Sequence, residues 1–261
     1  MCRLLAVASL TPRTVAEVLG ADQPRVFHDM ARLHDDGWGH AWLSGRDPIQ
    51  SERFVESGLH HRGLHDALGE LPTFAHLVHL RFATSGLART LANTHPFVAD
   101  GLAFAHNGSL VPPALLDSLI HPDVTVRGST DSERYFAVIR SALREGVPLE
   151  NAISGAVTSI RELFPRSSLN ALLLTPRFLV AIHASRNARS PWRELRARRP
   201  DLVLPEAHDE RYFTMHIQRR AGESVAIASS GMDVSEWEEL PPDSITSIDL
   251  HTLTERLTLI D

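Results

Sequence analysis

The chain contains one cysteine, Cys2, directly behind Met1. Removal of Met1 would leave a thiol and a free α-amine on the same carbon. In reference compounds the amine titrates at about 7.7–8.0 and the thiol at about 8.5. The amine can therefore take the thiol proton near neutral pH, directly or through a water. Cys2 is thus a candidate nucleophile that carries its own base. A small residue at a tolerant position would look the same. A single cysteine also excludes an intramolecular disulfide.

Three segments place polar groups after apolar runs: HLRFATSG at 79–86, NTHPF at 93–97 and AHNGSL at 105–110. Asn107-Gly108 sets a side-chain amide beside an unhindered backbone N–H, the two donors that an oxyanion hole needs. Asn-Gly is equally the strongest two-residue hairpin signal. Arg81, within LVHLRFA, reads as a buried cation and demands an anionic partner. That partner is either a substrate carboxylate, gripped by two parallel hydrogen bonds, or an internal Asp or Glu. Asp131 opens a helix, as a capping carboxylate or as the counter-charge of a substrate ammonium group. Arg81 and Asp131 together match the two charges of an amino-acid head group.

Other chemistries find less support. Fifteen histidines invite a metal, but His76 and His79 point to opposite faces of a strand. His28, His34, His40, His60, His61 and His65 show no standard ligand pattern with acidic neighbours. Asp35-Asp36 lacks further oxygens for a hard cation. No metal and no cofactor are expected. Gly37-Trp38-Gly39 reads as a tight turn with Trp38 packed near the site, since no GxGxxG or P-loop occurs. Ser229-Ser230-Gly231 lacks the flanks of a nucleophile elbow.

Taken in order, Met1-Cys2-Arg3, DGWG at 36–39, HLRFATSG, NTHPF, AHNGSL and GSTDSE at 128–133 resemble the class II glutamine amidotransferases, which are N-terminal-nucleophile hydrolases. The resemblance is strong over residues 1–140. It is looser beyond, through LNALLL at 169–174 and AIASSGMD at 226–233 with Trp237. It implies an α+β fold, an αββα sandwich of two antiparallel sheets between helical layers. It implies Cys2 as nucleophile, Asn107 and Gly108 as oxyanion hole, Arg81 and Thr84 as holders of the substrate carboxylate, and Asp131 as holder of its α-ammonium. The implied substrate is a small molecule, glutamine or a γ-glutamyl amide.

Arg3 stands where many members fused to a synthetase carry glycine, and Ser85 where some carry histidine. The chain looks like the stand-alone bacterial group beginning Met-Cys-Arg, which includes an ergothioneine-pathway γ-glutamyl amidohydrolase. Simple hydrolysis is the leading expectation. Ammonia supply to a separate synthetase partner and a silent glutamine-binding module are the alternatives.

The elements that must position these residues alternate between strands and helices, then become mostly strand. Residues 3–9, 37–44, 51–57, 75–84 and 97–106 read as strands, with Asp100-Gly101 as a turn signal. Residues 13–20 look helical. Residues 131–145 form a helix with Tyr135, Phe136, Ile139, Ala142 and Leu143 on one face, opened by a Thr130/Glu133 capping box. Residues 149–164 form a second. Residues 169–184 read as a hairpin with Thr175-Pro176-Arg177 at its tip, and 212–218, 224–230 and 245–250 as further strands. Ser185–His208, with six arginines and three prolines, reads as a flexible surface excursion within one domain spanning 1–261. Two sheets between helical layers fit this order.

Composition bounds the rest. The 261 residues are 43% apolar with net charge -6, which argues against a broadly basic nucleic-acid surface. No apolar run of about eighteen residues exists, so no membrane span is expected. The N-terminus lacks a signal-peptide pattern. The default is cytoplasmic, where a thiol stays reduced. The sequence is silent on oligomeric state.

Overall fold

The central strands are apolar on both faces because both faces are covered. In β1 (Arg3–Arg13) Leu4, Ala6 and Ala8 enter one core layer while Leu5 and Val7 enter another. The computed structural model describes residues 2–45, 48–83 and 88–260.

One sheet joins β1 to β2 (Trp38–Leu43), β3 (Gln50–Phe54), β4 (Thr73–Leu80), β9 (Met215–Arg220), β10 (Ser224–Ser229) and β11 (Glu238–Glu239), in the order β11-β9-β10-β1-β4-β2-β3. The other joins β5 (Phe97–Ala99), β6 (Leu102–Asn107), β7 (Asn170–Leu174), β8 (Phe178–His183), β12 (Ser244–Asp249) and β13 (Glu255–Leu259), in the order β13-β12-β8-β7-β6-β5. The ladders are antiparallel.

Between the sheets lies a layer rich in small side chains, including Ala6, Ala41, Ala75, Ala103 and Ala181, filled by Leu4, Leu77 and Leu172. Outside the first sheet, α1 (Val15–Leu19), α2 (Gln23–Asp29) and α3 (Arg62–Gly69) bury Val18, Phe27 and Leu64 against Leu5, Val7 and Val78. Outside the second, α4 (Asp131–Arg144) and α5 (Leu149–Leu163) bury Phe136, Ile139, Ile153 and Val157 against Phe104 and Leu173. This is the αββα sandwich. Among the described residues no helix is long and apolar enough to cross a membrane.

Several local expectations are corrected. β1 continues to Arg13, so the expected helix at 13–20 shrinks to Val15–Leu19 behind a complete Thr14/Glu17 capping box. The turn expected at Asp100-Gly101 forms, both residues at positive φ (53° and 74°), and it divides the 97–106 strand into two. Gly37-Trp38-Gly39 is not one tight turn: Trp38 and Gly39 begin β2, and Trp38 is buried beneath the helices. The capping box at α4 forms only by half. Thr130 accepts from the Glu133 N–H, but the Glu133 carboxylate instead accepts from the backbone of Arg127 and Gly128. Ser185–His208 is not a loose excursion. It holds α6 (Trp192–Arg198), and Leu195 packs with Leu33, Phe82, Tyr212 and Phe213.

Candidate active site

Period-two alternation brings the candidate residues together. Leu4 faces the layer between the sheets, so Cys2, two residues earlier, continues the same side. Ala103 and Ala105 of β6 lead to Asn107, and Ala75 and Leu77 of β4 lead through His79 to Arg81. The apolar layer therefore becomes polar at one end.

There the Cys2 backbone N–H donates to Asn107 Oδ1 at 2.9 Å. The Cys2 sulfur lies 3.9 Å from the Phe82 carbonyl. Asn107 Nδ2 is buried without a hydrogen-bond partner among the described residues. Gly108 follows it, and a Cβ there would overlap the Ser168 carbonyl and the His106 ring, so glycine is required. His106 Nε2 lies 2.9 Å from the Ser168 carbonyl, which can only accept, so Nε2 carries the hydrogen. Nδ1 then accepts from Ser132 Oγ at 2.9 Å. The hairpin reading of Asn107-Gly108 is not realised, because β6 runs on into an irregular segment and a 3₁₀ turn at Pro113–Leu119 rather than into a paired strand.

Asp131 sits at the first position of α4, capped by Thr130. Its Oδ2 accepts from the Leu110 N–H at 2.6 Å and its Oδ1 from the Ser132 N–H at 2.9 Å, with Ser132 Oγ 3.4 Å from the same oxygen, which leaves a lone pair on Oδ2. Arg81 is 2% exposed and makes no ion pair to a carboxylate among the described residues; Nη1 donates to the Asp36 carbonyl at 3.3 Å. Burial lowers its pKa, and Cys2, Asp36 and Asp131 oppose that shift, which sets Arg81 in the field of both Cys2 and Asp131. Thr84, the remaining expected site residue, lies outside the described residues, as does Ser85.

Asp36 has a role that residue types alone did not reveal. Its carboxylate accepts from the Ala83 N–H at 2.8 Å and from both Arg198 terminal nitrogens at 2.7 and 2.8 Å, and it pairs with Arg89. One buried carboxylate thus ties down the chain just beyond Arg81 and joins it to α6. Arg198 also lies over the Phe82 ring at 4.4 Å. Burial opposes ionisation of Asp36, yet Arg198, the Ala83 N–H and Arg89 together hold its pKa below the ordinary value. A depressed carboxyl pKa contributes stability above about pH 4 that is lost as pH falls through the folded value. Asp36→Asn should lower stability by about 2 kcal/mol, less than the roughly 3–5 for a fully buried pair because Arg89 and Arg198 are partly exposed. Thermal melts from pH 7 to pH 3 check this: the wild type should approach the variant at the acid end.

Other clusters are less expected. His79 and His95 stack with ring centroids 4.2 Å apart, and burial lowers both pKa values well below normal, leaving them neutral at pH 7. His76 lies on the opposite face of β4, with its Nε2 2.9 Å from His40 Nδ1. His65, for which no acidic partners were expected, meets Asp66 and Glu70 within ligand distance at the surface of α3. The charges of Arg81 and His106 bear on both His79 and His95.

A family model described as glutamine amidotransferases class-II matches residues 1–242. Over 142 residues the chain is 29% identical to a glutamine–fructose-6-phosphate aminotransferase (isomerizing) of Zymomonas mobilis subsp. mobilis, a match covering 54% of this chain and 23% of that protein. Among solved structures, a glutamine aminotransferase class-II domain protein from Silicibacter pomeroyi superposes with TM-score 0.64 at 20% identity, covering 99% and 100% of the two chains. A glutamine phosphoribosylpyrophosphate amidotransferase from B. subtilis gives 0.64 at 15% identity, covering 100% of this chain and 49% of the other. A glutamine amidotransferase, so named by prediction, from Pseudomonas aeruginosa gives 0.57 at 18%, covering 98% and 100%. The chain spans less than half of the two larger relatives.

Proposed function

Because the chain belongs to the class II glutamine amidotransferases, we propose that it hydrolyses the side-chain amide of glutamine or of a γ-glutamyl compound through a thioester on Cys2. The observation that carries this reading is the Asn107 side chain. Its oxygen accepts from the Cys2 N–H at 2.9 Å, which brings its buried Nδ2, without a partner among the described residues, beside the nucleophile.

In the proposed reaction the α-amine of Cys2 takes the thiol proton, and the sulfur attacks the γ-carbonyl carbon. The oxyanion that develops accepts from Asn107 Nδ2 and the Gly108 N–H. Its collapse breaks the C–N bond, and the α-ammonium returns the proton to the departing amine. Water, deprotonated by the same amine, cleaves the thioester, releasing glutamate and restoring the thiol. Arg81 and Thr84 hold the α-carboxylate and Asp131 the α-ammonium. Met1 must be absent, since an acylated amine is a poor base.

The test is intact mass. The active protein should lack Met1, and a glutamine-like diazoketone should add one equivalent to Cys2. Fully retained Met1 in an active preparation, or no adduct, would overturn the mechanism. The partial coverage of the two larger relatives favours a second reading, in which ammonia passes to a separate synthetase. Amidase activity of the isolated protein supports hydrolysis; activity only with a partner supports ammonia supply.

A further inference from the structure

Arg3 is fully buried, and its guanidinium finds no carboxylate among the described residues. Nε donates to the Cys2 carbonyl at 2.6 Å, and Nη1 to the Ser230 carbonyl and hydroxyl, both at 2.6 Å. Nη2 is buried with no hydrogen-bond partner among the described residues. The guanidinium stacks on the Tyr212 ring, with its carbon 3.9 Å from the centroid. All of these partners are neutral, whereas a buried charge is ordinarily tolerated only beside a counter-charge. A hydrophobic side chain would pack beneath Tyr212 without that cost.

The surroundings keep the charge on Arg3 uncompensated. Burial raises the pKa of Tyr212, so the phenol stays protonated, and its hydroxyl donates to the same Cys2 carbonyl at 3.3 Å. His208 is held neutral, its pKa lowered to about 2 by burial and by Arg3. Arg81, a further cation in the field of Cys2, follows directly after β4. Burial lowers the pKa of both arginines, and a negative sulfur on Cys2 opposes that shift in each.

We propose that Arg3 is a positioning residue for the chemistry at Cys2: it fixes the Cys2 carbonyl and supplies a permanent buried positive charge that is neutralised when the Cys2 sulfur becomes negative. The missing counter-ion is then the reactive state of the adjacent residue. The charge favours thiolate formation before attack and the departure of sulfur when the thioester is cleaved. This rests on Cys2 being the nucleophile, but the test does not require turnover.

Cys2 is the only cysteine, so alkylation by iodoacetamide, read by intact mass, reports on that sulfur alone. Arg3→Gln keeps donors for the Cys2 and Ser230 oxygens but removes the charge; Arg3→Lys keeps the charge. The Arg3→Gln rate should fall about tenfold at pH 7 and converge on the wild type above about pH 10, since tenfold corresponds to one unit of differential charge interaction. Arg3→Lys should stay within about threefold. Tyr212→Phe, which loses a hydrogen bond and no charge, should alkylate like the wild type. Equal rates for Arg3→Gln and wild type at every pH would overturn the proposal, as would equal losses in Arg3→Lys and Arg3→Gln. If Arg3→Gln does not fold, a loss above about tenfold in folded Arg3→Lys overturns it, and retention within about threefold supports it. If these alkylation results hold in a protein without amidase activity, the function proposed above fails while the role of Arg3 stands.

Discussion

Asn107→Ala should lower kcat by roughly 10²–10³-fold and leave KM nearly unchanged. Asn107 Nδ2 has no partner among the described residues, so it is free to donate to the oxyanion, and that bond strengthens as the negative charge develops. An interaction stronger in the transition state than in the ground state appears in kcat. The alanine variant also removes Oδ1, the acceptor of the Cys2 N–H at 2.9 Å, so misplacement of the nucleophile could contribute. Asn107→Asp separates the two effects. It retains an acceptor for Cys2 but places a carboxylate where a donor is required, and kcat should fall at least as far as in the alanine variant. Near-normal kcat in Asn107→Asp would assign Asn107 to holding Cys2 alone. A loss below about threefold in Asn107→Ala would remove it from the chemistry. Melting temperatures should fall in Asn107→Asp, because a fully buried side chain becomes a carboxylate, so kcat is compared on the folded fraction, in which the backbone carbonyl of residue 107 keeps its bond from Ser168 Oγ at 2.8 Å.

The sheets were legible because their signal is local. Runs such as LLAVA in β1 and LNALLL, the first arm of the 170–183 hairpin, are apolar almost throughout, and the strands they form are covered on both sides. The two long helices carried an amphipathic period and appear at 131–144 and 149–163. Boundaries failed where long-range pairing extends or ends an element. β1 reaches Arg13 because Arg13 pairs with Thr73, a contact invisible to any local window. The short helices α2 and α3 lack the length for a clear period.

The site divides in the same way. Cys2, Asn107, Gly108, Arg81 and Asp131 could be named by residue type and by the family resemblance. Asp36 stood in the DGWG motif of the resemblance, but its pairing with Arg198 could not be named, because a carboxylate that joins residues 36, 83, 89 and 198 has no signature in sequence spacing. The arginine-rich stretch that looked like solvated surface is what supplies Arg198 and the buried Leu195.

Arg81→Lys should fold normally and lose mainly substrate binding, by about 1.5–3 kcal/mol, the usual worth of a hydrogen bond to a charged group. Lysine keeps the positive charge but lacks the planar fork that grips a carboxylate through two parallel bonds. An arginine engaged in an internal ion pair would behave differently, since breaking a buried pair costs stability of roughly 3–5 kcal/mol. Arg81 makes no such pair among the described residues, and Asp36 offers it a backbone carbonyl at 3.3 Å while committing its carboxylate to Arg198 and Arg89. Kinetics beside thermal melting distinguish the cases: a raised KM with an unchanged melting temperature supports substrate recognition, whereas a large fall in melting temperature does not. The same assignment predicts a substrate preference. A γ-glutamyl compound with its α-carboxylate esterified should react far more slowly than the free acid, because Arg81 would remain buried and unpaired while Asp131 still met the ammonium group. Changing the substituent on the γ-nitrogen should matter less, because neither charged residue grips that end of the molecule. Equal rates for ester and free acid would mean that Arg81 and Asp131 do not hold the glutamyl head, and the proposed substrate class would fall with them.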